Sequence, residues 1–569
     1  MHSRSYSAFE LPPGHSKFGN ILGLPLAHHA FAGLTLLLIA MRVFVATHYR
    51  VDSDEPQHLH VVWGWASGLV QYRDVFDNHA PLFQMLCAPL LKALGERADI
   101  IIPMRLAMIP LFLTTILLTY RIGAQVIGQS QAWIAAALLA LFPTFFFVTA
   151  EFRTDDLWAV LWLAAFLIVT LAPIRGWSAF YFGFVMGAAL STSMKTVLLV
   201  LSLGLAALCV AVLRRASGEP IDFRDLRNSA ALALFGMVLL PGSLTAFFAM
   251  HGALPQMIYC IFKHNTVSEL GSWRKIGFHH FYFPLSVPLL LWLAWKELRS
   301  REGHAGAPRR ALLLLTAGFY LSLLLSYWPL VTRQDYMPVI PLGMVIFTPW
   351  ICGIGACAAR FHPLLRYAPA CLLLLGEFAR CCQLCPYTAD DVRPFCHHLA
   401  NTLRLVDRDQ FIMDSKGETI FRKRPFYYVL EGITIERMKQ GLIADDIPEV
   451  LVKTATCVLH PRRMSDRDYQ FINANYLKVA TYTMVAGKAL GQAPLSAPLR
   501  FTTLWPARYQ VVCEGGQLQG TLDGQAIQNS QMLPAGPHTL AVSGGEGRID
   551  LVWAQALERG FSPFGKRRG

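Results

Sequence analysis

Three acidic residues, Asp52, Asp54 and Glu55, begin a long polar stretch, Val51–Leu91, that lies between two apolar segments. A carboxylate in this position can accept a proton from an incoming hydroxyl group, which is general-base catalysis. A partly apolar setting is expected to raise the pKa of such a carboxyl. Alternatively, the same residues cap the helix that follows them. The spacing alone leaves catalysis and capping open, and we place the centre of the chemistry at Asp54 and Glu55.

The same polar stretch continues with Tyr72-Arg73-Asp74 and His79. Arg73 and Asp74 either pair with each other at the membrane interface or fix the loop over a bound head group. A histidine on its own is more often structural than a ligand, so His79 is interpreted as structural.

A second acidic cluster, Glu151-Phe-Arg153-Thr-Asp155-Asp156, opens a later apolar segment. Local ion pairing and helix capping would explain it. The alternative is a second carboxylate that faces the first across a cleft. Because the predicted topology puts both clusters on one side of the membrane, we favour the second interpretation.

Several cationic residues are predicted on this same side. Arginine and lysine make charge-assisted hydrogen bonds to phosphoryl oxygens, although each cation alone could also extend to lipid head groups. Their convergence on one side favours a phosphate site. They are Lys195, Lys263, His264 and Arg333.

Nucleotide and metal motifs are weak. The sequence has no HExxH, GxxxxGK[ST] or GxGxxG-helix pattern, so a nucleotide site is unsupported. Asp52-Ser-Asp54 could hold a divalent cation, but a metal is not expected.

Composition and apolar runs predict how these residues are positioned. Of the 569 residues only 15% are charged, against about 25% in soluble domains. A helix needs about 20 mostly apolar residues to cross a bilayer, and the apolar runs predict about eleven such helices. The candidate spans are 27–47, 100–120, 130–149, 157–173, 177–194, 196–213, 229–250, 280–295, 311–328, 338–358 and 364–379.

The positive charge orients these spans. With residues 1–26 as a cytoplasmic tail and the first span retained, most loop arginines and lysines fall inside, Lys296–Arg310 most clearly. The net charge of +13 is therefore a topology signal, and no nucleic-acid partner is predicted. The acidic clusters then face outside. The last span contains Arg366 and Glu377; crossing is favoured, and the C-terminal region would be cytoplasmic without it.

The region after the spans has soluble composition. Alternating strands and helices predict an α/β domain at 386–490, and short strands with glycine turns predict a β-sandwich-like module at 497–560. Cys382-Gln-Leu-Cys385 is a single CxxC without a second one, so unpaired thiols or a local disulfide are favoured over a metal site. The predicted fold class is a mainly α, polytopic membrane protein with these two C-terminal units.

Two other functions fit a polytopic membrane protein. A transporter or lipid flippase would place ionisable residues near the bilayer midplane and show internal repeats; here the residues lie at the outer rim and no repeat is visible. A glycan-binding scaffold would not need about eleven spans for an anchor.

Three segments resemble the membrane-embedded C-type glycosyltransferases, in the branch of protein O-mannosyltransferases and lipid A aminoarabinose transferases. The resemblance covers residues 27–379. Thr154 replaces the usual proline and Asp155-Asp156 is doubled, which leaves the second carboxylate ambiguous. The segments are Asp54-Glu55 with Gly68, Tyr72-Arg73-Asp74 and Pro81; Arg153-Thr154-Asp155; and Arg333, Tyr336, Pro338 and Pro341.

This resemblance implies the C-type fold and a polyprenyl-phosphate sugar donor in a bacterial inner membrane, with the site and the C-terminal domains facing the periplasm. Asp54 would deprotonate a hydroxyl of a lipid, glycan or protein acceptor, which attacks with inversion; cations would neutralise the phosphate, with no obligatory metal. The implied catalytic residues are Asp54, Glu55 and Asp155. The implied donor-binding residues are Arg73, Asp74, Arg153, Asp156, Lys195, Lys263, His264, Arg333 and Tyr336.

Overall fold

The computed structural model describes residues 20–21, 24–171, 174–216, 223–268, 270, 277–299 and 306–565. Most of the predicted N-terminal tail therefore lies outside the described residues. A two-stranded hairpin, β1 (Asn20–Ile21) and β2 (Leu24–Pro25), precedes the first helix.

The N-terminal part is helical, and a helix stands at each of the eleven predicted spans. In chain order the helices are α1 (Leu26–His48), α2 (Asp54–Ala66), α3 (Leu82–Leu94), α4 (Ile101–Leu106), α5 (Ile109–Val126), α6 (Gln129–Leu141), α7 (Pro143–Val148), α8 (Thr154–Leu171), α9 (Trp177–Leu190), α10 (Thr196–Ala216), α11 (Phe223–Met250), α12 (Leu254–Ile258), α13 (Tyr282–Arg299), α14 (Ala307–Tyr327), α15 (Ile340–Ala358) and α16 (Ala368–Leu384). Short helical turns occupy Tyr259–Lys263, Phe278–Phe281, Arg333–Tyr336 and Pro363–Tyr367.

Six stretches are long and apolar enough to cross a membrane by length and composition, so the protein is a multi-pass membrane protein. They are Ile101–Val126, Thr154–Leu171, Thr196–Ala216, Arg227–Met250, Ala307–Tyr327 and Ile340–Ala358. The third predicted span falls short because Pro143 begins a new helix, α7, after α6; proline cannot continue a helix from the preceding turn. The number of crossings beyond six stays a prediction.

Two buried tryptophans of α8 align the helices under the outer loops. The indole of Trp158 donates to Thr196 Oγ1 at 2.9 Å, and that of Trp162 donates to the Pro338 carbonyl at 3.1 Å. Close packing of α9 against α11 needs glycine, since a Cβ at Gly183 would lie 1.9 Å from the Ala233 carbonyl oxygen. These contacts fix α8 against the start of α10 and against Pro338 before α15, and they fix α9 against α11.

The C-terminal part has two sheets. One has the strand order β11-β8-β13-β6-β4-β3, with β5 also paired to β6, and the other has the order β10-β9-β12-β7. Only the β3–β4 pair is parallel among these strands. The elements are α17 (Val392–Leu405), β3 (Ile412–Met413), α18 (Gly432–Lys439), α19 (Ile447–Lys453), β4 (Val458–Leu459), α20 (Asp466–Asn475), β5 (Tyr476–Lys478), β6 (Met484–Ala493), β7 (Leu499–Thr503), β8 (Ala507–Cys513), β9 (Gln519–Leu522), β10 (Gln525–Ala526), β11 (Gln531–Leu533), β12 (Gly536–Gly544), β13 (Gly547–Trp553) and α21 (Ala554–Glu558).

The two units predicted at 386–490 and 497–560 share one sheet and one core. Strand β6 pairs with β4 through Val485 and with β13 through Lys488, so the hydrogen-bond ladder crosses the expected boundary. A single apolar cluster runs from Leu405 through Leu459 to Trp553. The region is one C-terminal domain.

The C-terminal domain lies on the same side as the polar stretch Val51–Leu91. The Asp391 amide donates to the carbonyl of His48, at the end of α1, at 3.1 Å. Arg422 also pairs with Glu96 at 3.2 Å. Whatever the orientation of the protein, this domain and the outer loop share one side of the membrane.

Candidate active site

The turn before α2 separates the three acidic residues into different environments. The Asp54 amide donates to Asp52 Oδ1 at 3.1 Å, and the Asp52 amide donates to Glu55 Oε1 at 2.9 Å. These bonds satisfy backbone amides next to the start of α2, but its N-cap residue, Ser53, makes no side-chain cap hydrogen bond, so they are not the N-cap bonds that the capping interpretation expects. They engage the carboxylates of Asp52 and Glu55, whereas the Asp54 carboxylate takes no part in them.

Glu55 is part of the protein interior. Its carboxylate accepts from Arg105 Nε at 2.7 Å and Nη2 at 2.6 Å, and from the Phe152 amide at 2.8 Å. Both charged side chains are buried, and Arg105 also donates to the carbonyls of Tyr49 and Arg50. Glu55 therefore holds the outer loop to α4 and does not line the cavity described below, and its catalytic role stays a prediction.

Asp54 faces a cavity and contacts two cations. Arg153 Nη1 lies 2.7 Å from Asp54 Oδ2, and the Lys416 ammonium contacts Oδ1. Burial by itself would raise the pKa of this carboxyl, but Arg153 and Lys416 outweigh it and hold the pKa well below its usual range. The expectation of a raised pKa is wrong, because the two cations dominate the apolar surroundings. Asp54 is an ionised carboxylate at neutral pH.

Arg153 joins the two acidic clusters. Besides Asp54, it contacts Asp52 at 2.9 Å and Asp155 at 3.1 Å, and its side chain is only 7% exposed. The two clusters therefore face one another across one guanidinium. Arg153 is the physical reason that carboxylates of the two clusters can lie this close, because their negative charges would otherwise repel each other.

The cavity has a volume of about 190 Å³ and is lined by side chains from separate loops. The lining residues lie at the start of α2 and in the segments after α2, α7, α9, α12 and α14, all of which were predicted to open on the same side, and Ile433 of α18 adds one residue of the C-terminal domain. Of the expected site residues the cavity brings together Asp54, Arg153, Asp155 and Lys195. It also holds Asn78, His79, Thr192, Ser193, Asn265 and Gln334, which sequence reasoning missed or interpreted as structural.

His79 reaches this cavity through a buried network. Its Nδ1 lies 2.8 Å from Asp77 Oδ1, and Asp77 also accepts from Gln71 and Gln84. Burial would lower the pKa of His79, but Asp77 outweighs it and raises the pKa. The Tyr72 hydroxyl donates to the His79 carbonyl at 2.7 Å. The outer loop thus contributes Asn78 and His79 to the site, rather than its charged pair.

Lys195 lines the cavity and pairs with the buried Asp335. Asp335 also accepts from the Thr332 amide at 2.7 Å. Asp335, which lies inside the Arg333–Tyr336 motif but was not singled out in the sequence, does not line the cavity itself and acts as the buried partner of Lys195.

Other expected residues lie elsewhere. Arg73 and Asp74 pair with each other at 2.8 Å at the surface, as the simpler interpretation held. Lys263 is exposed, and the structure records its carbonyl as an acceptor for Arg437. His264 is buried 3.4 Å from Glu431. None of these four lines the cavity.

Two acidic residues are buried behind the cavity wall. Asp156 and Glu151 have carboxylate oxygens without a hydrogen-bond donor among the described residues. Burial raises the pKa of Glu151 to about 8, and the charge of Glu55 adds to this shift. Asp156 was expected to bind donor, but its buried position does not bring it to the cavity surface.

A second, apolar cavity of about 580 Å³ lies among the start of α7, α13, α14 and α15. Its lining is almost entirely hydrocarbon, and Tyr336 and Gly343 belong to it. Tyr336 ends the turn Arg333–Tyr336, whose Gln334 lines the polar cavity. Arg333, the first residue of the same turn, is exposed and lines neither cavity. One helical turn therefore separates a charged cavity from a lipid-like one.

Among the described residues, no group of three or more His, Cys, Asp or Glu side chains is placed to hold a metal ion. The absence of an obligatory metal stays a prediction. The cysteines of the described part are free, including Cys381, Cys382, Cys385 and Cys396.

Comparison with solved structures identifies the fold. The chain matches ArnT from Cupriavidus metallidurans in the apo state with a TM-score of 0.54 and 16% identity, over 81% of this chain and 98% of that one. ArnT bound to undecaprenyl phosphate matches with a TM-score of 0.55 and 14% identity, over 80% and 97%. The fold is that of the C-type glycosyltransferases. No protein-family model matches the sequence, and no curated protein matches it.

The C-type fold extends beyond the region in which the sequence resembles the family. Residues 1–385 make up about two-thirds of the chain, so a match over 81% of it must continue into the C-terminal domain. The predicted resemblance is confirmed at the level of the fold. The archaeal oligosaccharyltransferase AglB from Archaeoglobus fulgidus also matches, with a TM-score of 0.44 and 10% identity over 76% of this chain and 69% of that chain.

Proposed function

We propose that this protein is a glycosyltransferase that moves a sugar from a polyprenyl-phosphate donor to an acceptor hydroxyl. One observation carries the proposal: an ionised carboxylate, Asp54, lies with cations in a polar cavity that one helical turn separates from an apolar cavity among the helices. A lipid phosphate has the same two parts, a charged head and a hydrocarbon tail.

The two cavities would hold the donor in a single orientation, with its hydrocarbon chain in the apolar cavity and its phosphate at the polar one. Its prenyl chain would occupy the apolar cavity beside Tyr336, where burial of hydrocarbon is favourable. Its phosphate would reach the cations at the rim, Lys195 and Arg153, with Arg333 on the connecting turn. Charge-assisted hydrogen bonds from these groups would neutralise the phosphate. Support also comes from the fold of ArnT, one structure of which holds undecaprenyl phosphate.

The chemistry is a single displacement. The acceptor oxygen bonds to the anomeric carbon on the side opposite the phosphate, and the configuration inverts. The bond from that carbon to the phosphate oxygen breaks, and its electron pair goes to the phosphate, while the acceptor proton moves to Asp54. Cations that contact the leaving phosphate stabilise the negative charge that develops on it.

Asp54 is suited to this role because it is ionised and reaches the cavity. A carboxylate with a lowered pKa is a weak base, so it takes the proton late, when the acceptor oxygen has begun to bond and has become acidic. The phosphate leaving group makes a strong base unnecessary. Asp155, the other cavity carboxylate, is held by Arg153 and orients that guanidinium.

We place the site, with the C-terminal domain, on the periplasmic side of a bacterial inner membrane. The distribution of arginine and lysine among the loops supports this orientation. The acceptor is then a lipid, glycan or protein hydroxyl that reaches the cavity from outside.

The test is transfer by purified protein from labelled polyprenyl-phosphate sugars to a membrane extract. Asp54→Asn is expected to lower turnover by about 10²–10⁴-fold, since it removes the proton acceptor. Asp74→Asn, a change of the same type in the same loop but outside the cavity, should transfer like wild type. Unchanged transfer by folded Asp54→Asn would contradict its role as the base and point to Asp155. Wild type that transfers no sugar but moves lipid phosphates across vesicles would support the transporter alternative.

A further inference from the structure

Lys416 is a cation of the C-terminal domain that the reaction scheme above does not use. It follows strand β3 in the segment Asp414–Thr419 and contacts Asp54 of the membrane part. Its side chain is only 5% exposed. A lysine is rarely buried unless its charge is paired, and Asp54 is the one acidic side chain within salt-bridge distance of it in the described chain.

The segment that carries Lys416 is held rigidly. The buried Asp414 carboxylate accepts from the Gly417 and Thr419 amides, each at 2.8 Å, and from Arg424 at 2.7 Å. Gly417 has a positive φ of 79° and packs on α2, where a Cβ would lie 2.8 Å from the Cβ of His60. This loop therefore packs against α2 and places the Lys416 ammonium at Asp54.

Resting on the proposed function, we propose that Lys416 is a positioning residue for Asp54, through which docking of the C-terminal domain completes the transferase site. It acts through the carboxylate: its charge adds to that of Arg153 in stabilising the ionised form of Asp54, and its contact fixes the direction of one carboxylate oxygen. Lys416 does not line the cavity, so it does not touch the substrate. Detached from the C-terminal domain, the membrane part would have an incomplete base.

The ionisation of Asp54 depends on several groups, and most of them remain when Lys416 is removed. Arg153 still attracts the carboxylate, whereas nearby acids oppose its charge. The titratable and charged groups that face Asp54 are Asp52 and His58 from its own segment, His79 from the outer loop, Arg153 and Asp155 at the start of α8, Lys195 across the cavity, and Lys416. Loss of Lys416 should therefore raise the pKa of Asp54 partway toward its ordinary value.

The experiment measures protonation of Asp54 with and without Lys416. Carbodiimides react with protonated carboxyls, so the total modification of Asp54 is followed by mass spectrometry across pH in the full-length protein. In Lys416→Met the midpoint should move to higher pH. Lys416→Arg keeps the charge and should return the midpoint to its wild-type value. Lys453 is an exposed lysine of the same domain, and Lys453→Met should leave the midpoint unchanged.

Transfer activity provides the second readout. The acid side of the pH–rate profile should move to higher pH in Lys416→Met and return in Lys416→Arg, which a merely structural lysine would not produce. In wild type, activated Asp54 should also form an amide with Lys416. A folded Lys416→Met with the wild-type midpoint, or a wild type without that cross-link, would overturn the proposal.

The two proposals fail in different ways. If wild type transfers no sugar, the proposed function fails, and the labelling midpoint still decides whether Lys416 controls Asp54. If Lys416→Met does not fold, Gly417→Ala, which disturbs the contact with α2 and keeps the lysine, should move the labelling midpoint in the same direction. An unchanged midpoint in folded Gly417→Ala together with no cross-link would reject the positioning role.

Discussion

Two charged segments of the outer loop, Asp52–Glu55 and Arg73–Asp74, belong to the same sequence motif yet lie in different environments. The first lies between Arg105, Arg153 and Lys416, and its three carboxylates are partly or wholly buried. The second is a pair at the surface that also donates to a backbone carbonyl. Charge in the motif does not decide participation in the site; whether the side chain lines the cavity does, as Asp54 does and Arg73 and Asp74 do not.

Residues that are adjacent in the sequence can also differ in this way. Asp54 and Glu55 are adjacent, but a helix turns successive side chains by about 100°, so one faces the cavity and the other faces Arg105. The same distinction applies to Lys195 and Lys263, of which only the first lines the cavity. The predictions below test this distinction in order of expected effect.

Glu55→Gln is expected to have the largest effect on stability. The change leaves the buried Arg105 guanidinium without its carboxylate, and breaking one side of a buried ion pair costs about 3–5 kcal/mol. The apparent melting temperature of the purified protein in detergent measures the loss. Asp74→Asn is the matched control at the surface, and equal melting temperatures for the two variants would remove the distinction between the segments.

Lys195→Met should weaken donor use. If the lysine donates a charge-assisted hydrogen bond of about 1.5–3 kcal/mol to the phosphate, kcat/KM for the lipid-linked donor falls by about 10- to 100-fold. The exposed Lys263, changed to Met, provides the control and should leave kcat/KM unchanged. A larger effect from Lys263 would show that the donor phosphate binds outside the cavity described here.

Glu151→Gln should change how stability depends on pH. Burial raises the pKa of Glu151 in the folded state to about 8, from an ordinary value of 4.5. Between these values the native state keeps a proton that the unfolded state has lost, so wild-type stability falls as pH rises from about 4.5 to 8. Glutamine carries no charge at any pH, so the variant should lose this decline. Melting temperatures of wild type and Glu151→Gln, measured across this pH range, test the prediction. If the two proteins show the same dependence of melting temperature on pH, the raised pKa of Glu151 is contradicted.

Arg73→Ala should have the smallest effect. The Arg73–Asp74 pair is solvated, and exposed ion pairs contribute little to stability. Melting temperature and transfer should both stay within the scatter of wild-type measurements. A clear loss of transfer with unchanged melting temperature would return the Arg73–Asp74 segment to the list of site residues.

Much of the architecture could be predicted from sequence because it depends on local composition. The apolar runs predicted the positions of helices at all eleven spans, and the distribution of positive charge among the loops predicted which loops open on the site. The C-terminal domain was less predictable, since β6 joins strands from both sides of the expected boundary. Such pairing is set by contacts between residues far apart in sequence, which a local pattern does not contain.

The sequence by itself determined the helical membrane part and the common side of the acidic clusters, because apolar length and charge placement act within a segment; Asp54 as the base was implied by the resemblance and stays a prediction. Only the tertiary structure decided that Glu55 is buried against Arg105, that Arg153 bridges the two clusters, and that Lys416 contacts Asp54 from 362 residues away. The sole local sign of that lysine was a polar loop with a glycine after a short buried strand. An electrostatic environment is a sum over neighbours in space, and most of those neighbours come from elsewhere in the chain.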